Sequence, residues 1–163
     1  MTANDARIAE LLNELLPDAR CALNFETPFQ CVVAVALSAQ TTDKSVNDVT
    51  PALFSRFPDA KSMANADIEE IENLIMRLGL YKNKARNLLA MAKIVDEKYG
   101  GEIPNSREAL TALPGVGIKT SNVVRAECFG EPAIAVDTHV ARVATRLGYC
   151  KKGEDPVKIE AIL

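Results

Sequence analysis

At 163 residues with 48% hydrophobic side chains, the chain is long enough for one domain with a real core, or for one domain and part of a second. Aromatic residues make up only 5%, with no Trp, which disfavours a β-sandwich and predicts an all-α protein packed by aliphatic side chains. The formal charge is −3, no apolar run reaches membrane-spanning length, and the first residues do not read as a secretory signal, so a membrane protein is excluded and a cytoplasmic one expected.

In chain order, apolar residues at Ile8, Leu11, Leu12, Leu15 and Leu16 repeat at helical spacing and predict a helix from Asp5 to Leu16, closed by Pro17. Thr27-Pro28 opens a second helix in which FQCVVAVALSAQ is apolar nearly all round, the pattern of a buried central helix. Thr42 and Asp43 begin a third, running to about Phe57, with Pro58-Asp59 as a break. A fourth starts near Asp67 and is expected to end on Gly79 as its C-terminal cap. A long helix follows from about Asn83 to Tyr99, stopped by Gly100-Gly101. Ser106 to Leu113 and Ile118 to Phe129 form two helices around a glycine turn, Gly130-Glu131-Pro132 breaks the chain, and residues 134–136 are extended. Asp137 then caps a helix from Thr138 to Leu147, and Asp155-Pro156 starts a last one. Because that helix would stop at Ile162-Leu163 with an apolar face and no cap, the pattern predicts a fragment whose missing part would cover it.

The turn between the two short helices carries the most chemistry. In LPGVGIKTSN, Leu113 to Asn122, two glycines without a Cβ allow positive φ and close approach, and leave backbone N–H groups facing outward at a helix N-terminus. That is a cradle for one phosphate, with Lys119 in the first helical turn beside it. A lone Gly-x-Gly also serves tight packing, but apolar Leu113, Pro114, small Thr120 and Ser121, and the pair Val123 and Val124 make the wider pattern a helix-hairpin-helix, which grips the DNA backbone without reading bases. The glycines are too close for a Walker loop, and no β-branched run leads in as a dinucleotide fingerprint requires. Nine basic residues against four acidic ones between Arg77 and Arg125 give a local +5, leaving −8 elsewhere, so the positive excess surrounds the turn.

Downstream, VDTH spans Val136 to His139. Taken alone, Asp137 reads as a helix N-cap, and His139, the only histidine, as a structural residue or one that orients the site or contacts phosphate. Cys21, Cys31, Cys128 and Cys150 form no CxxC pair and read as small buried hydrophobes or free thiols, so no metal is assigned.

Four stretches in order, LSAQTTDKSVN (37–47), GLYKNKA (79–85), LPGVGIKTSNVV (113–124) and AVDTHVARVATRLG (135–148), resemble the endonuclease III family within the helix-hairpin-helix DNA glycosylases. The resemblance implies two all-α lobes with double-stranded DNA across the cleft between them. Here residues 23–132 would form a six-helix lobe containing the hairpin (about 106–129), and residues 1–22 and 133–163 part of the second. It implies a monomeric base-excision-repair enzyme that removes oxidised pyrimidines and nicks the resulting abasic site. By position Lys119 matches the family's Schiff-base lysine and Asp137 its catalytic aspartate, while Gln40 matches the residue that fills the hole opposite the orphaned base and Leu80 the apolar wedge. Gly115, Val116, Gly117, Thr120 and His139 would contact DNA. Ile118 departs from the pattern, since relatives often carry a basic residue there. Typical members also hold a [4Fe-4S] cluster through four closely spaced cysteines beyond the point where this chain ends, and none of the four cysteines here matches them. The alternative reading is a non-catalytic DNA-binding fragment.

Overall fold

The computed structural model describes residues 3–163 and contains, among them, ten helices and no strand. These are α1 (Ala3–Leu15), α2 (Pro28–Leu37), α3 (Asp43–Arg56), α4 (Ala60–Ala64), α5 (Ile68–Ile75), α6 (Tyr81–Tyr99), α7 (Arg107–Thr111), α8 (Ile118–Phe129), α9 (Thr138–Arg146) and α10 (Pro156–Ile162).

The architecture follows from α2. Its N-cap Thr27 accepts the Gln30 amide and Pro28 supplies a pre-set φ in the first turn, after which Cys31, Val32, Val33, Ala34 and Leu37 are fully buried. A helix with no polar face must be covered on all sides, and α3, α6 and α8 pack against it. Helices α4 and α5 close over α6, and α7 packs on α8. One cluster of buried side chains runs from Leu23 to Val124. Buried Ala144 and Ile159 lie outside it, where α9 meets α10. The hydroxyl of Tyr149 reaches across to Asp5 Oδ1 at 3.0 Å, tying α1 to the turn after α9.

Most boundaries fall where the sequence puts them, and the departures have local causes. The apolar run of α2 continues to Gln40, but the helix ends at Leu37. There the Ser38 hydroxyl donates to the Val35 carbonyl, and Gln40 turns into the left-handed region at φ +54. Gly79 does not cap α5, which ends at Ile75 with Met76 as its C-cap; the left-handed residue is Leu80, φ +59, and α6 starts directly after it. Gly100 does cap α6, at φ +62. Helix α4 lies where only a break is expected. Its five residues are set by a reciprocal box in which Asp59 Oδ1 accepts the Ser62 amide at 2.8 Å and Ser62 Oγ accepts the Asp59 amide at 3.3 Å.

Those bonds to Ser62, first the amide and then the hydroxyl, hold the Asp59 carboxyl below its usual range. A group with a lowered native pKa adds stability above its unfolded pKa and loses it as pH falls through the native one. Asp59→Ala should therefore cost about 1 kcal/mol at neutral pH in urea unfolding. The difference from the native chain should shrink as acid protonates Asp59.

Candidate active site

Local chemistry builds the hairpin. The Val116 amide donates to the Leu113 carbonyl at 3.1 Å, closing a turn with Pro114 second and Gly115 third, and Gly115 takes φ +81 as a type II turn requires. Leu113 and Val116 bury their side chains and anchor the turn. A Cβ on Gly115 would also meet the Asn87 side chain on α6 at 3.2 Å, so the fold itself demands glycine there. Gly117 differs. Its φ of −94 and ψ of −179 suit any residue, and a Cβ would meet nothing within 4 Å. It caps α8 without a side chain, leaving open space before the first amides of the helix, where an anion is favoured. Lys119 follows in the first turn with its side chain 61% exposed, and Thr120 beside it is half-buried.

Asp137 approaches from a separate element. As N-cap of α9 its Oδ1 accepts the amides of His139 and Val140, each at 2.9 Å. The other oxygen, Oδ2, lies 4.0 Å from Lys119 Nζ and 3.3 Å from His139 Nδ1. One carboxylate thus does two things: one oxygen starts the helix and the other faces the lysine. Partial burial pushes its pKa up, but the Val140 amide, the His139 ring and amide, and the Lys119 charge together outweigh this and hold the carboxyl below its usual range. At neutral pH it is an anion.

Behind this pair a cavity of about 210 Å³ is lined by Ile118, Lys119, Asn122, Val136, Val157 and Glu160, so α8, α10 and the segment before Asp137 all border it. Asn122, 1% exposed, donates from Nδ2 to the Ile134 carbonyl at 3.0 Å and accepts at Oδ1 from Arg107 Nη2 at 3.1 Å; Arg107 in turn pairs with Glu160.

A second cavity, about 180 Å³, brings together Gln40, Leu80 and Gly115, three residues from three of the sequence stretches. Gln40 and Leu80 are the two non-glycine residues with left-handed backbone among the described residues, and both side chains face solvent, Leu80 at 62% exposure. Left-handed backbone costs a residue with a Cβ about 1–2 kcal/mol. The same cavity is lined by Lys84, only 8% exposed, whose Nζ donates to Thr41 Oγ1 at 2.5 Å and whose pKa is lowered by burial. That bond ties the α2–α3 loop to α6, so the loop carrying Gln40 and the helix that follows Leu80 are fastened together.

Of the residues singled out from sequence, Lys119, Asp137 and His139 therefore meet in one place, and Gln40, Leu80 and Gly115 in another. Val116 is buried with its amide engaged. Sequence reasoning missed Lys84, Arg107, Asn122 and Glu160. For Lys84 a signal exists, since it shares the face of α6 made by Leu88, Met91 and Val95. For Asn122 none does: its partners come from other elements.

No three His, Cys, Asp or Glu side chains among the described residues come together to hold a metal ion. Cys31 and Cys128 share a hydrogen bond that raises the Cys31 pKa, as burial does too, and lowers that of Cys128 against the effect of its burial. Cys150 lies against Thr145 at 3.4 Å. These cysteines do not fit the [4Fe-4S] cluster that the resemblance attaches to longer relatives, and no step proposed below runs through one. Among the described residues no helix is long and apolar enough to cross a membrane.

Residues 33–163 match the family model described as HhH-GPD superfamily base excision DNA repair protein. The chain is 47% identical over 152 residues to endonuclease III of Bacillus subtilis (strain 168), covering 93% of this chain and 69% of that protein. It is 44% identical over 146 residues to endonuclease III of Escherichia coli (strain K12), covering 88% and 69%. Among solved structures, a non-covalent endonuclease III–DNA complex superposes with a TM-score of 0.89 at 43% identity, covering 99% of this chain and 76% of that one. A trapped endonuclease III–DNA covalent intermediate with an estranged adenine gives 0.89 at 42%, covering 100% and 78%.

The contrast between the two hairpin glycines is measurable by denaturant unfolding. Gly115→Ala should destabilise the protein by about 1–2 kcal/mol through its backbone conformation, whereas Gly117→Ser, which adds a better N-cap into empty space, should leave stability unchanged or raise it by about a few tenths of a kcal/mol.

Proposed function

The chain belongs to the HhH-GPD superfamily of base excision DNA repair proteins, and from that membership and the meeting of Lys119 with Asp137 we propose how it works. It is a DNA glycosylase and abasic-site lyase of the endonuclease III kind. Its substrate is duplex DNA carrying an oxidised pyrimidine or an abasic site. The open amides after Gly117 and the local positive charge hold the phosphate backbone, a sequence-independent contact that weakens with salt. Chemistry at C1′ requires the nucleotide to leave the stack. Leu80 wedges the duplex open and Gln40 fills the hole opposite the orphaned base, both reaching in from the cavity that Lys84 braces.

At the sugar, the Lys119 ammonium first gives up a proton and its amine then adds to C1′ as the bond to the base breaks, the departing base taking up a proton. Positive charge gathers on the sugar ring in that step, and the ionised Oδ2 of Asp137, 4.0 Å from the amine, stabilises it. Loss of the amine protons and opening of the sugar ring give an imine between Lys119 and C1′. The imine draws electrons from C2′, a base removes a C2′ proton, and the 3′ phosphate leaves by β-elimination; water then releases the lysine. His139, bonded through Nδ1 to the same oxygen, holds that carboxylate in place. The single observation that carries this reading is the divided carboxylate: a helix cap alone leaves no reason for Oδ2 to face a lysine at the start of another helix.

Borohydride reduction on a duplex with one abasic site should trap a covalent adduct with the native chain and none with Lys119→Ala. Strand nicking that survives Lys119→Ala would overturn the assignment. Asp137→Asn keeps an acceptor for the His139 and Val140 amides but loses the charge, so base release should fall by about 10²-fold or more with the fold and DNA binding retained. Because the carboxyl is held below its usual range, the acid limb of the native pH–rate profile should lie below that of an ordinary aspartate, and its absence from that position would count against an ionised Asp137. Gly117→Ser, neutral for folding, should weaken DNA binding with an unchanged salt slope, since it blocks an amide cradle without removing a charge.

A further inference from the structure

Lys119 sits at the start of α8, while Asp137 follows a run of irregular backbone, residues 130–137, that has no ladder or helix of its own. At the beginning of that run Glu131 is tied to the Arg125 carbonyl and side chain. At its end Asp137 caps α9. Between them, the bond from Asn122 Nδ2 to the Ile134 carbonyl joins the segment back to α8. Asn122 stands three residues after Lys119 on the helix, and Ile134 three residues before Asp137 in the chain. The bond therefore bridges the two elements that carry the reacting groups.

We infer that Asn122, held by Arg107, is the positioning residue that sets the distance between Lys119 and Asp137, an inference that rests on the catalytic reading above. The amide is needed for its two-sidedness: it donates to a carbonyl while accepting from a guanidinium, which a carboxylate or an apolar side chain of similar size does not. Arg107 fixes which way the amide points by occupying Oδ1, so that Nδ2 faces Ile134. Glu160 engages the same Arg107 Nη2 that donates to Asn122, which brings α10 into the arrangement and closes the cavity behind Lys119 and Val136. Burial makes the arrangement rigid, because at 1% exposure water does not substitute for either partner of Asn122. The effect of Asn122 and Arg107 passes through the backbone at Ile134.

The test compares the native chain with Asn122→Leu, which removes both bonds, and Asn122→Asp, which keeps the Arg107 bond and loses the donor to Ile134. Each is checked for folding by thermal unfolding. Two quantities are then measured on a duplex with one abasic site: the dissociation constant, and the single-turnover nicking rate at saturating protein. A misplacement of reacting groups lowers the second and spares the first, so both variants should lose about 10- to 100-fold in rate while affinity stays within about threefold. A folded variant that nicks at the native rate, or one that loses affinity with the saturated rate intact, overturns the positioning role. Should both variants fail to fold, Arg107→Lys decides. It keeps the charge beside Glu160 on a partly exposed helix but releases the amide, so the saturated rate should drop with affinity kept, and an undiminished rate overturns the inference. If the native chain neither nicks nor is trapped, the catalytic reading fails and the positioning role with it; if it does and the variants match it, the positioning role alone fails.

Discussion

The burial of α2 on every side is the constraint from which the rest descends. A ten-residue helix of mostly valine, alanine and leucine has no face to offer water, so its neighbours are obliged to enclose it. Helix α8 is one of those neighbours, and α7 leans on α8. Once α8 is fixed against the core, the short turn before it has no freedom left, because Leu113 and Val116 are themselves pinned inside. The position of the Lys119 amine at the protein surface is thus inherited from hydrophobic packing on the opposite side of its helix.

Electrostatics adds what packing does not reach. Asp137 belongs to a segment lacking regular structure, and hydrogen bonds bring it to Lys119: its own cap of α9 at one end and the buried amide of Asn122 at the other. The cap also explains why the carboxylate is charged where it matters. Two amides and an imidazole satisfy it in place of water, so the anion persists in a half-covered site next to a cation. A net-acidic protein carries a phosphate-facing surface in the same way, through local arrangement rather than total charge.

Much of this was legible in the amino-acid sequence because the signals are short-range. Helical periodicity, Thr and Asp caps, and the spacing of glycines act within one or two turns, which is why α3, α8 and the starts of α2, α7 and α9 fall where their residues indicate. Helix α4 escaped notice because five residues show no period, and only the Asp59–Ser62 pairing marks it. The assignment of Gly79 as a helix cap failed on a different ground: a glycine permits left-handed backbone without requiring it, and here the neighbouring leucine adopts it instead. Lys119 and Asp137 stood out through their motifs, but their separation, and the Arg107–Asn122–Ile134 bridge behind them, depend on contacts between residues 12 to 53 positions apart. No pattern in a linear string encodes those.

Gln40 and Leu80 carry one consequence beyond their place at a cavity. Both hold a backbone shape that glycine adopts with ease and a residue with a side chain adopts at a cost. A chain shaped for stability alone would carry glycine at these two points and would present no side chain there. Because the unfavourable turns are already made in the free protein, and the Lys84–Thr41 bond keeps the two loops from relaxing apart, the backbone that carries both side chains is already in place for the role proposed above. On that proposed reading, the cost of reshaping falls on the double helix and not on the protein.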